Sequence, residues 1–192
     1  LDHLQRGTLR LDGLKILVLD GTGYIGPHQI NYAVSRGHEV SMFNRGRTNV
    51  GMFKGKVEEL IGDRANNLES LKGRKWDAVI DNSAARAQDA PEWLKLSAEL
   101  LKDSVNQYVF TSTRSAYKDT SRVPMTADAP LASMGDLRPG ANRTYGVAKA
   151  EAERAAHAIM PGRVTVVRPG LIIGPGDETD RFTYWPLHID RG

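Results

Sequence analysis

Residues 15–26, KILVLDGTGYIG, decide the fold. Ile16, Leu17, Val18 and Leu19 form an unbroken apolar run, the pattern of a parallel strand covered on both faces. Gly21, Gly23 and Gly26 follow at once as G-x-G-x-x-G, where a helix should begin. That spacing lets the backbone turn tightly, approach a pyrophosphate and pack the helix closely on the strand. The N–H groups and dipole at the helix amino terminus favour an anion in the same place. Gly21, Gly23, Tyr24, Ile25 and Gly26 are therefore read as a nucleotide-binding turn.

Composition bounds what surrounds that turn. With 192 residues and 40% hydrophobic content the chain can bury a sizeable core, and its length favours one domain. Neither a run of about 18 apolar residues nor a signal-peptide pattern is visible, which predicts a cytoplasmic protein with no membrane partner; a processed exported protein fits the same residues. Cysteine is absent, which excludes disulfides, thiol nucleophiles and Cys-ligated metals. The net charge of +3 arises from 26 basic residues scattered among 23 acidic ones. Such a balance suits a phosphate-bearing ligand as well as weak attraction to nucleic acid, so charge alone decides nothing. His28, His38 and His157 are too dispersed for a metal site, and Asp177, Glu178 and Asp180 read as the cap of a following helix; no metal is predicted.

Outward from the turn, residues 1–14 lack periodicity and read as an irregular arm, leaving 15–192 as one nucleotide-binding domain. Tyr24 to Arg36 is predicted as a helix ended by Gly37, with Pro27 in its first turn. His38 to Phe43 alternates as a second strand, and the loop NRGRTN follows it. An acidic residue there would accept from both hydroxyls of an adenosine ribose, but the loop holds Asn44, Arg45 and Arg47, and arginine pairs with a 2′-phosphate. The predicted cofactor is accordingly NADP, with NAD as the alternative. The competing reading makes these arginines ordinary solvated loop residues.

Val57 to Ile61 reads as a third strand, followed by a small helix around Leu68 and Leu71. Asp63 fits an adenine-amine acceptor and an ordinary turn residue equally well. Trp76 to Asp81 is the fourth strand, and the small residues Asn82, Ser83 and Ala84 after it allow a cofactor to lie against the backbone. Pro91 to Asp103 is predicted helical, Tyr108 to Phe110 forms the fifth strand, and Thr111-Ser112-Thr113 places hydroxyls at its carboxyl end. Ser115 to Arg143, broken by prolines and glycines, is the longest irregular stretch, of the kind that is usually functional or mobile. A helix then opens at Thr144, and Val164 to Val167 is the sixth strand. Strands alternating with helices call for an α/β, Rossmann-type doubly wound parallel sheet.

Tyr145 and Lys149 stand four apart on that helix and share a face. An ammonium beside a phenol favours the phenolate, which makes such a phenol usable as an acid or base near neutral pH. A hydroxyl is then needed to hold the substrate oxygen; Thr113 is best placed and Ser112 is the runner-up. A lone Tyr and Lys at this spacing usually decorate a surface, and it is their place after the fifth strand of a nucleotide-binding pattern that gives them weight.

GTGYIG, VFTST, YGVAK and RPGLIIGPGD occur in that order, and together they resemble the extended, epimerase/dehydratase-like branch of the short-chain dehydrogenase/reductase superfamily, from about Lys15 to the end. The resemblance implies a nicotinamide cofactor on the glycine turn, Tyr145 as acid/base, Lys149 on the nicotinamide ribose, and Thr113 in the usual Ser or Thr place. It implies hydride transfer to or from a secondary alcohol or ketone, commonly on a nucleotide-linked sugar. Arg168, Pro169 and the Gly174-Pro175-Gly176 loop are implied to border nicotinamide and substrate, and a homodimer to form through helices around Trp93 and Tyr145. GTGYIGPH, FNRG and DRFTYWP look most like a bacterial epimerase-like group related to chloroplast stem-loop-binding proteins. That relation implies the alternative, an RNA-binding or dinucleotide-binding regulatory protein without turnover. No basic run interleaved with aromatics supports RNA.

Two departures from the branch's pattern matter. Its T-G-x-x-G-x-x-G places the first glycine on Asp20, and a carboxylate facing the phosphates would repel them. Its members carry more substrate-binding chain after the sixth strand, whereas PLHIDRG reads as an unfinished helix; the expectation is a fragment holding only the start of a substrate region after about residue 170.

Overall fold

Ile16 to Leu19 are buried, as an apolar run between two helical layers must be. They belong to β1 (Lys15–Leu19), which is joined by β2 (Glu39–Asn44), β3 (Glu58–Ile61), β4 (Trp76–Asp81), β5 (Val105–Thr111) and β6 (Val164–Val167) in the computed structural model. The structure describes residues 13–82, 87–121, 123–179 and 182–191. The six strands are parallel and lie in the order β3-β2-β1-β4-β5-β6. Leu19 stands opposite Phe43 on one side and Asp81 on the other, so the carboxyl ends of β1, β2 and β4 are level. The strand order reverses between β1 and β4, where open α/β sheets bind ligands.

Side-chain alternation along β1 divides the core in two. Leu17 and Leu19 point into a layer with α2 (Ala90–Leu101) and α3 (Tyr145–Ile159), packing with Leu94, Leu101, Ala152 and Ala156. Ile16 and Val18 face the other layer, with Ile30 and Ala33 of α1 (Gly26–Ser35) and Val40 and Met42 of β2. Small side chains let α3 pack closely on its neighbours: Ala148, Ala150, Ala152 and Ala156 are all fully buried.

The expected elements are present with shifted ends. α1 begins at Gly26, not Tyr24, because the turn before it is not helical. β5 starts at Val105, earlier than Tyr108, since Trp76 of β4 has Val105 opposite it. The small helix near Leu68 is a single 3-10 turn, Glu69–Leu71. The final residues form α4 (Tyr184–Arg191), whose apolar side chains are exposed. Residues 1–12 of the expected arm lie outside the described residues. The long stretch after β5 is built, not slack: Tyr117 bridges to Leu131, Lys118 N donates to Pro130 O at 2.8 Å, and Arg154 of α3 donates to Ala132 O at 2.9 Å.

A buried polar cluster ties the α2 side together. Asp81, at 0% exposure, accepts from both terminal nitrogens of Arg64, at 4% exposure, including Nη2 to Oδ2 at 3.0 Å. Arg64 Nη2 also donates to Ser97 Oγ at 2.8 Å, and Tyr108 Oη donates to Asp81 Oδ2 at 2.6 Å. Burial opposes the charge of Arg64, but the Asp81 carboxylate together with Tyr108 and Asp20 outweighs it and holds the guanidinium firmly protonated. Asp81→Ala, by stranding that charge, is expected to cost about 3–5 kcal/mol in urea denaturation, and the apolar double replacement Arg64→Met/Asp81→Leu to recover most of the loss. A single-variant loss below about 1 kcal/mol would show that the pair is dispensable.

Candidate active site

Each glycine of the turn has its own steric reason. A Cβ on Gly26 would lie 2.3 Å from Gly21 O, and one on Gly21 would lie 2.7 Å from Ile30 Cδ1 and Met42 Cγ. These two sit behind the turn and let α1 touch the end of β1. A Cβ on Gly23 would meet nothing within 4 Å, because Gly23 faces an open cleft. The helix that follows has no side-chain cap, so its first N–H groups have no side-chain acceptor, and Pro27 removes one of them without loss. A turn that must stay narrow behind and open in front, leading into an uncapped helix, fits a dinucleotide diphosphate.

The cleft has a volume of about 940 Å³ and runs across the carboxyl ends of the strands. Thr22, Gly23, Tyr24 and Ile25 line its middle. Asn44, the last residue of β2, and Arg45, Arg47 and Thr48 after it line one end, with Asn82 beyond β4. Asn44 Oδ1 accepts from Gly46 N at 2.5 Å, which shapes the arginine loop; Asn82 bridges Gln29 of α1 at 2.5 Å and Thr111 of β5 at 2.9 Å. Neither Arg45 nor Arg47 forms an ion pair among the described residues.

Thr113, Tyr145 and Lys149 line the same cleft. Thr113 Oγ1 accepts from Ser115 N at 3.2 Å, capping the 3-10 turn Arg114–Ala116 and leaving its own O–H to donate. Ser112, the alternative hydroxyl, is consumed by Glu153, a fully buried residue of α3. Thr144 caps α3 by accepting from Val147 N at 3.3 Å, which makes Tyr145 its first residue, 43% exposed at the cleft wall. Gly146 is what permits this placement, since a Cβ there would lie 2.0 Å from Ser115 O. One turn on, Lys149 is fully buried; its Nζ donates to Thr111 O at 2.8 Å and lies 4.7 Å from the centre of the Phe110 ring. Burial pushes the Lys149 ammonium down to about 8, with Asp81 acting in the opposite direction.

The model of the NAD dependent epimerase/dehydratase family matches residues 16–189. The chain belongs to that family. A UDP-glucose 4-epimerase of Neisseria meningitidis is 28% identical over 163 residues, covering 72% of this chain and 46% of that protein. The chloroplast stem-loop binding protein of 41 kDa b of Arabidopsis thaliana is 26% identical over 140 residues, covering 64% of this chain and 36% of that protein. The chain thus spans less than half the length of these two relatives. The solved structure of MoeE5 in complex with UDP-glucose and NAD superposes with a TM-score of 0.64 at 22% identity, over 88% of this chain and 58% of that one, and shares the fold.

Not every residue singled out for this epimerase/dehydratase domain reaches the cleft. Arg168 does not line it: its Nε and Nη2 donate to Glu153 at 3.0 and 2.7 Å, and its Nη1 donates to Tyr117 Oη at 2.9 Å and Ala127 O at 2.7 Å. The guanidinium is a clamp joining β6, α3 and the long loop, with Pro169 beside it lining the cleft instead. Asp63 likewise stays outside, its Oδ1 accepting from Ala65 N at 2.9 Å in a turn closed by Asn67. The Gly174-Pro175-Gly176 loop lies over the start of α1, where His28 Nε2 donates to Pro175 O at 2.9 Å. Ser83 and Ala84 lie outside the described residues. Sequence reasoning missed Arg64 and Glu153; Glu153 stands four residues after Lys149, a spacing that puts it on the same helix face.

Lys149 gives this arrangement a measurable signature. The unfolded chain keeps the lysine proton up to its ordinary 10.5 while the folded protein releases it near 8, so folding stability rises with pH between these values. Urea denaturation at a series of pH values should show the wild type gaining up to about 3 kcal/mol relative to Lys149→Met across that window. A pH-independent difference would mean that the ammonium is not desolvated in the folded protein.

Proposed function

We propose that this domain holds a nicotinamide dinucleotide along the carboxyl ends of β1, β2 and β4 and works as an epimerase, dehydratase or reductase on a secondary alcohol or ketone, with a nucleotide sugar as the substrate class. The observation that carries this reading is that Thr113, Tyr145 and Lys149 line one cleft with the glycine turn. The names of the relatives, UDP-glucose 4-epimerase among them, support the substrate class. The bound dinucleotide supplies hydride acceptance and donation.

The chain's own residues supply the rest. The turn from Thr22 to Ile25 and the uncapped amino end of α1 bind the diphosphate. Arg45 and Arg47, where an acidic residue would select a free ribose, support a preference for the 2′-phosphorylated form, NADP, over NAD. Thr113 donates to the substrate oxygen, Tyr145 moves the proton on that oxygen, and Lys149 holds the ribose from below. A second reading rests on the identity to the chloroplast stem-loop-binding protein: the same domain binding RNA without turnover. RNA association that persists at physiological salt with saturating dinucleotide would favour it.

Fluorescence titration is expected to give saturable binding of NADPH, about tenfold tighter than of NADH, with the advantage lost in Arg45→Ala/Arg47→Ala. Equal affinities in the wild type would remove the 2′-phosphate from the reading. Tyr145→Phe should lower turnover of a nucleotide-sugar substrate by about 100-fold or more while dinucleotide affinity stays within about twofold. An unchanged rate would remove Tyr145 from the chemistry.

A further inference from the structure

The turn contains a carboxylate at the end of the cleft where the arginines gather. Asp20 adopts φ +62°, a left-handed conformation that glycine takes freely and that Asp and Asn tolerate better than other residues. Its N–H donates to Phe43 O at 3.0 Å, which holds it between the ends of β1 and β2. It is half-buried and lines the cleft together with Asn44, Arg45 and Arg47.

Charged groups act on Asp20 from the elements around it: Arg45 after β2, Asp63 and Arg64 after β3, Asp81 at the end of β4 and Lys149 of α3. Arg64 is committed to Asp81, so those two charges largely offset one another. Arg45 has no ion pair among the described residues, and it lines the same cleft as Asp20. A ligand phosphate seated by Arg45 and Arg47 therefore meets an attractive pair and an opposing carboxylate in the same place.

We propose that Asp20 is a specificity-determining residue for the dinucleotide, its carboxylate opposing the 2′-phosphate that Arg45 and Arg47 attract and so limiting the discrimination between NADP and NAD. This rests on the dinucleotide reading given above. Charges several ångströms apart in a half-solvated cleft change relative affinity by about five- to tenfold. The opposition also depends on pH. Burial pushes the Asp20 carboxyl up, with Asp81 and Asp63 acting the same way and Arg64 and Arg45 against it. Above its folded-state value the group is charged and opposes the phosphate; as pH falls through that value it is neutralised and the opposition disappears. Preference for the phosphorylated dinucleotide through this group therefore grows with acidity.

Asp20→Asn and Asp20→Gly both suit the left-handed backbone, and each removes the charge. The measurement is the Kd of NADPH and of NADH for wild type and both variants, by fluorescence titration between pH 5.5 and 8. At pH 8 the ratio of NADH to NADPH dissociation constants should rise about five- to tenfold in both variants. As pH falls, the gap between wild type and Asp20→Asn should narrow; a 2′-phosphate itself titrates at about pH 6, and the comparison with Asp20→Asn cancels that contribution. A ratio unchanged within about twofold at pH 8 would overturn the proposal. Equal tightening of both dinucleotides would overturn it too, placing Asp20 against the shared diphosphate instead. Failure of wild type to bind either dinucleotide would defeat the dinucleotide reading and this proposal with it, whereas binding of both with an unmoved ratio would defeat this proposal alone.

Discussion

The contact on which the rest depends is the one between Gly26 and Gly21, where the first helix rests on the end of the first strand with room for no side chain. Backbone against backbone at that distance puts the amino end of α1 directly at the carboxyl edge of the sheet. The level ends of β1, β2 and β4 then provide a continuous rim, and the reversal of strand order beside β1 opens the rim into a cleft. A second contact of the same kind, Gly146 against Ser115, brings the amino end of α3 to the other part of that cleft. Two helix starts, each admitted by a missing Cβ, frame the place where a ligand would lie.

Charge is arranged around the cleft in two ways. Arg64 and Arg168 are buried or half-buried, paired with Asp81 and Glu153, and tie strands, helices and the long loop together. Arg45 and Arg47 line the cleft without such partners among the described residues. The first kind is structural, since an unpaired guanidinium in the core would be costly, and the second kind is available to a ligand. Lys149 stands between them: it lines the cleft, yet it is buried, with its ammonium donating to Thr111 O beside the Phe110 ring and in the field of Asp81.

The fold was legible because its signals are local and repeated. A buried strand reads as an apolar run, α3 as an alanine-rich stretch opened by Thr144, and their alternation implies parallel crossover connections. Much of the candidate site was legible for the same reason, since Thr113 ends a strand and Tyr145 and Lys149 are one helical turn apart. Arg168 was placed beside the nicotinamide by the family resemblance, and nothing local shows that Glu153, fifteen residues earlier on another element, engages it. Asp63, read equally as an adenine acceptor and as a turn residue, stands in a turn closed by Asn67.

By itself, the sequence determined the class of fold, the glycine turn and the candidate trio of Thr113, Tyr145 and Lys149, because each is encoded within a few neighbouring residues. Tertiary structure alone decided which charges are spent inside the protein and which face the cleft. Pairing of Arg64 with Asp81 and of Ser112 with Glu153 joins residues far apart in the chain. No local pattern specifies such pairings; the order and register of the strands do.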